Sequence, residues 1–372
     1  MDNSLLQQRA ELKGQLAQGK YQTLTDTLLD GTGRILQRIF RTARPVPFWV
    51  SAVSIALLML LVSVDVSLAA GERHVFTSKN VVIGILGVAL GLASLIIFKT
   101  YLRAFFSSLQ NDILDSITSD SGLAGLQRWL GYLCNLRLHL AFCVVYGLSM
   151  GIFITVTWSD TLGGEFIGFG PAILTCLVGL TWAIPMYLLL VFLFLPGALG
   201  RCTYTLFKAD PGNSEVIARL SGMMKKLVYL YALVAAGSMV FIAYAGFLVP
   251  AMVLLTILVA WLPITLLFVS GQTSLTAIIR RAKWQTLNEV QVQIAHIQAA
   301  ENLAEKESMD KVNRLLDYHQ RVMSTRNSTL NLQAGLGFFN SLLLPVLGFI
   351  LGNYDKFQDI ASLKEWLSAL FG

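Results

Sequence analysis

Residues 48–70 read FWVSAVSIALLMLLVSVDVSLAA, a run of apolar side chains carrying one charge, Asp65. A helix rising 1.5 Å per residue needs about 20 residues to cross a hydrocarbon core of roughly 30 Å, and this run supplies them. Five more stretches behave the same way: Val81–Phe98, Leu138–Trp158, Pro171–Leu195, Leu227–Phe247 and Pro250–Ser270. The six fall into three pairs separated by basic segments. The fold class this predicts is an all-α polytopic membrane protein built from three tandem transmembrane helical hairpins.

Composition points to the same class. Hydrophobic residues make up 55% of the 372-residue chain and charged residues 13%, where a soluble domain carries about 25% charged. The net charge of +6 is explained by orientation rather than by nucleic acid. With the N-terminus cytoplasmic, the inner segments hold most of the Lys and Arg residues, while the outer connections hold only Arg73 and Lys79 before the C-terminal tail. Positive residues near spans are retained inside, so the expected location is an inner membrane of bacterial type with the N-terminus in the cytoplasm. The polar stretch before Phe48 has no short apolar core and reads as amphipathic cytoplasmic helix, not as a signal peptide. Cys134, Cys143, Cys176 and Cys202 show no CxxC spacing and read as free, packed thiols.

An internal repeat is legible in the residues. Leu36-Gln37-Arg38 recurs ninety positions later as Leu126-Gln127-Arg128, and more weakly as Ile217-Ala218-Arg219. Turn-forming Asp30-Gly31, Asp120-Ser121-Gly122 and Asp210-Pro211-Gly212 lie just upstream. Pro171 stands eleven residues before Trp182, as Pro250 does before Trp261, and Pro185 and Pro263 follow soon after. The expected unit is about ninety residues: a turn, a short amphipathic helix at the inner surface, then two spans.

The chain divides accordingly into residues 1–47, the N-terminal amphipathic helices; 48–271, the membrane domain; 272–334, a cytoplasmic helical projection; and 335–372, a membrane-associated segment and tail helix. From Gln272 to Ala334 there is neither glycine nor proline, and Lys283, Leu287, Val290, Ile294 and Ile297 follow a 4-3-4-3 spacing that Leu315, Tyr318 and Val322 resume. One helix of about 60 residues fits this, and so does an antiparallel hairpin turning in the polar stretch around Glu301–Lys311, which returns the apolar segment Leu336–Leu351 to the membrane. That segment either spans thinly as a seventh helix or dips in and returns.

Candidate functional residues are few. Asp65 is the one carboxylate inside a confident span, placed near the outer interface; such residues handle ions or protons, or sit in the headgroups. His139, at the start of the third span, lacks companions at metal-ligand spacing and reads as packed. Gly87-xxx-Gly91 and Gly147-xxx-Gly151 let backbones approach, either within the chain or between copies. Pro185 and Pro263 each free a carbonyl and kink a span, which opens space for a gate or merely shapes packing. Leu287, Ile294 and Val322 are the expected contacts of the projection. No phosphate-binding loop, HExxH, nucleophile elbow or metal-spaced carboxylate cluster occurs. The expectations are therefore a non-enzymatic protein with no cofactor and no metal. Its partners are membrane lipids and copies of itself or other membrane subunits. The functional order is an oligomeric channel or pore component first, a scaffold recruiting a partner through its cytoplasmic helices second, and a secondary transporter third.

Overall fold

The computed structural model describes residues 3–72, 76, 78–161, 169–245, 256–300 and 306–328. The expected seventh apolar segment at Leu336–Leu351, the tail helix, the Pro250 end of the sixth span and the stretch 301–305 lie outside the described residues. The main elements described are helices: α1 (Asn3–Ala17), α2 (Leu24–Phe40), α3 (Phe48–Ala69), α4 (Ser78–Ser108), α5 (Asp120–Leu133), α6 (Leu136–Thr161), α7 (Phe169–Phe192), α8 (Leu195–Gly200), α9 (Glu215–Ala245), α10 (Leu262–Ala300) and α11 (Lys306–Ser324). Six of the described helical runs are long and apolar enough to cross a membrane, and they fall on the six stretches read from sequence. Leu57, Leu61, Val145, Ile152, Leu233 and Val240 are exposed on their outer faces, which in a membrane is the side given to lipid.

Several helices overrun the expected spans. The apolar run predicts an end near Phe98 for α4, whereas the helix runs to Ser108 and passes into a π-turn at Leu109–Ile113. No breaker interrupts it, and Leu102, Phe105 and Leu109 extend its apolar stripe into the core, where all three are buried. In α9 the amphipathic segment and the span are fused into one 31-residue helix. The first two expected units instead keep a short amphipathic helix, α2 or α5, separate from the span that follows.

Local chemistry sets the ends. Thr23 caps α2: its hydroxyl accepts from the Asp26 N–H, and the Asp26 carboxylate accepts in return from the Thr23 N–H, a capping box. Arg41 closes the helix in the left-handed region at φ 48°. Pro45 and Pro47 then bar any helical continuation before α3. Glu72, just past α3, caps a different helix, its carboxylate accepting from the N–H groups of Phe169 and Gly170 at 2.7 and 3.3 Å. This joins the end of the first span to the start of the fourth.

At the opposite pole the two connections between span pairs meet. Thr118 N–H donates to Thr203 O and Thr205 N–H to Ser116 O, at 2.8 and 2.7 Å, around an isolated antiparallel bridge between Ile117 and Tyr204. Between the poles, α4, α5, α7 and α9 fill the interior with aromatic rings. Phe98 and Tyr231 lie 4.7 Å apart; Phe105 and Phe192, and Trp129 and Phe192, are each 5.5 Å apart. Offset and edge-on pairs of this kind add attraction to the large area each ring buries.

Candidate functional site

Small residues are spent on contacts inside the chain. A Cβ on Gly179 of α7 would stand 2.9 Å from the Gly147 carbonyl oxygen of α6, and one on Gly147 would stand 2.9 Å from Leu180 N. One on Gly151 would crowd the Cys176 backbone at 2.9 Å. Gly91 of α4 faces Thr181 of α7, and Gly87 faces the Phe241 ring of α9. All four glycines of the two expected motifs thus meet neighbouring helices, and in α6 and α7 the backbones themselves touch.

The two prolines differ. Pro185 is buried within α7, and the Tyr231 hydroxyl donates to its carbonyl at 3.2 Å. It stands in the aromatic interior rather than on a wall lining open space. Pro263 is half-buried at the start of α10, directly after a π-turn at Ile257–Trp261 that widens the helix before the ring arrives. Asp65 lies on the exposed side of α3, four residues from its end, with no hydrogen-bond or ion-pair partner among the described residues. That places it about 6 Å from the helix terminus, within reach of an interface.

His139 is fully buried and stacks on Tyr187 with ring centroids 4.0 Å apart. Neither imidazole nitrogen makes a hydrogen bond of ordinary geometry. Tyr187 donates to Tyr132 O at 2.6 Å. Among the described residues no group of three His, Cys, Asp or Glu side chains converges as a metal site would require.

The strongest electrostatic feature lies outside the candidates that the sequence offers. Lys99, which counts there only as one of the inner positive charges, is completely buried. Its ammonium pairs with Asp30 at 2.5 Å and Asp26 at 3.5 Å, and it lies 5.8 Å from the Phe48 ring centre. Arg103, one turn on, covers the same ring at 5.1 Å. An ammonium stripped of water costs several kcal/mol unless opposite charge replaces the solvent, so these contacts pin α2 to α4. The signal available in the sequence was a lysine at the end of an apolar run and two aspartates one turn apart in an amphipathic helix. Nothing local says that they meet.

The same pole carries further ion pairs that join separate elements. Lys13 meets Asp115 at 2.7 Å, Arg219 of α9 meets Asp112, and Lys208 meets Glu289 at 2.7 Å. Hydrogen bonding to Glu289 raises the Lys208 pKa above its ordinary value. Beyond the spans, α11 packs on α10, with Leu287, Val290, Val312 and Val322 buried and Ile294 half-buried. Lys283 donates to Met323 O, Thr325 O and Asn327 Oδ1 at 2.7–2.9 Å, supplying a cation to carbonyls that the end of α11 leaves open. The other faces of these two helices carry exposed Trp284, Val292, Met309, Leu316 and Met323.

Among the described residues these features define an all-α integral membrane protein with six long apolar helices, an aromatic interior and inter-element ion pairs gathered at one end. No family model matches the chain, and comparison with curated proteins and with solved structures likewise finds no match.

Proposed function

We propose that the chain is a non-enzymatic scaffold subunit of a bacterial inner membrane, built from three tandem hairpins with its N-terminus in the cytoplasm. It recruits a partner protein through a cytoplasmic helical hairpin formed by the outer half of α10 and α11. The observation that carries this reading is the projection's second apolar face. Leu287, Val290, Val312 and Val322 already supply the contact between its own helices, yet Val292 remains 69% exposed and Met323 59%. Apolar side chains held in water beyond the spans fit a surface that another protein covers. Affinity purification from native membranes tests it. Val292→Ser with Leu316→Ser is expected to remove a co-purifying partner while leaving the amount of membrane-inserted protein unchanged. Recovery of the same proteins by variant and unaltered chain would overturn it.

A pore between copies is the second reading, favoured by Asp65. A carboxylate on the exposed face of a span, close to its end, fits the rim of a lumen shared by several chains. Pro185 lies inside the aromatic interior of the chain, which supports placing such a lumen between copies. In planar bilayers, Asp65→Asn is then expected to change unitary conductance or its cation preference. Silent bilayers for the unaltered protein would remove this reading.

A further inference from the structure

α2 separates its charges in a way that its sequence pattern alone does not reveal. At about 100° of rotation per residue, Thr25, Leu29 and Gly33 form the stripe buried against neighbouring helices. Asp26 and Asp30, the only carboxylates of the helix, fall on one flank of that stripe and are drawn to Lys99. Leu28, Ile35 and Ile39 fall on the opposite flank and are 40%, 58% and 66% exposed. Phe40, the last residue, is exposed as well. Arg34 and Arg38 occupy the face turned away from the protein, with Arg41 and Arg44 following the helix end. All four are exposed, and none has an ion-pair partner among the described residues. With both aspartates engaged by Lys99, the free side of α2 is apolar on one flank and purely basic beside it.

We infer that α2 lies in the membrane interface with Leu28, Ile35, Ile39 and Phe40 against the acyl chains and Arg34, Arg38, Arg41 and Arg44 on anionic lipid headgroups, while Lys99 holds its rotation. The position is right for this: α2 packs on α3, whose neighbouring Trp49, Val53 and Leu57 are themselves exposed. An apolar flank with arginines at its edge is the arrangement by which an interfacial helix buries one side and lets long cationic side chains reach phosphate. A second copy suits the face poorly, because a two-fold contact would set its arginines against their own symmetry mates. The inference requires only that the chain is a membrane protein, and holds for scaffold or pore alike.

The test uses the full-length protein in nanodiscs of phosphatidylcholine, with and without phosphatidylglycerol. A fluorophore on Ile39→Cys, in a background lacking the four native cysteines, is read with brominated acyl chains and with iodide, while native mass spectrometry counts retained lipids. Strong quenching by brominated lipid, weak quenching by iodide and preferential retention of phosphatidylglycerol are expected. Arg34→Gln and Arg38→Gln should each cut that preference roughly fivefold, and both are surface changes that leave folding intact. Iodide quenching would place the face in water. Quenching by neither agent would mean that protein covers it, whether a second copy or residues 329–372. Equal retention of neutral and anionic lipid, or a preference untouched by losing both arginines, would remove the headgroup assignment. Any of these results overturns the inference.

Discussion

α2 and α5 carry the same Leu-Gln-Arg ninety residues apart, and the fold uses them in opposite ways. In α5, Leu123, Leu126, Trp129, Leu130 and Leu133 are all buried, and the Trp129 indole N–H donates to Val191 O at 2.9 Å. α1 and α8 pack on it: α1 brings buried Leu5 and Leu12, and Arg9 donates to Asp115 O at 3.2 Å. In α2 only Leu24, Thr25, Leu29 and Gly33 are buried, and Leu36, the counterpart of Leu126, is half-covered. The difference has a simple cause. The chain has one additional helix before the first unit, α1, and it lies over the second unit's amphipathic helix instead of the first. An amphipathic stripe states that something apolar must cover it. It does not state whether protein or lipid does so.

Breaking the electrostatic hold on α2 should have the largest effect. Asp26→Asn with Asp30→Asn leaves the Lys99 ammonium buried and unpaired, at an expected cost of about 3 kcal/mol. That is the low end for an orphaned buried charge, because the Asp30 side chain is 53% exposed and partly screened already. Thermal unfolding in detergent reads the loss, and trypsin should cut sooner at Arg38 and Arg41. Adding Lys99→Met should restore most of the stability, since the pair's main role is to cancel its own desolvation. No recovery would mean that the aspartates matter for capping and not for Lys99.

The repeat positions sharpen the comparison directly. Leu126→Ala empties a fully buried site and should cost about 3 kcal/mol. Leu36→Ala, at the equivalent place in the motif, should cost less than about 1 kcal/mol, because part of its surface never left solvent or lipid. Equal losses in a denaturant titration would mean that α2 is as enclosed as α5.

The smallest effect is a titration at the junction of the two helices. Burial pushes the Cys134 thiol from 9.0 up to about 12, and the Asp26 carboxylate adds to the shift. The folded value lies above the unfolded one, so the neutral thiol's contribution is complete below pH 9 and disappears as pH rises towards 12. At pH 8 a thiol at about 12 carries about a thousandfold less thiolate than one at 9.0, and its alkylation should be slowed strongly. Asp26→Asn should accelerate it modestly, since it removes the carboxylate whose charge adds to the shift while the Lys99–Asp30 pair stays in place.

What was legible from residues alone follows a rule of range. The places of the six described spans depend on how many consecutive apolar residues a bilayer needs, which is a property of each segment by itself. The burial of Leu287, Val290 and Val322 follows their own helical spacing, and the free state of the cysteines was likewise readable from their spacing. Membrane thickness alone does not set the end of α4, because its apolar stripe continues through buried Leu102 and Phe105, and Phe105 is held by Trp129 of α5 and Phe192 of α7. The partners of Lys99, the glycines and Pro185 were open for the same reason. Asp30 and Lys99 are 69 residues apart in sequence, and no local pattern records which of many lysines a carboxylate will meet. Tertiary structure alone decided those contacts, because a buried charge, a bare glycine backbone and an apolar flank acquire their energies from whatever the folded chain brings against them.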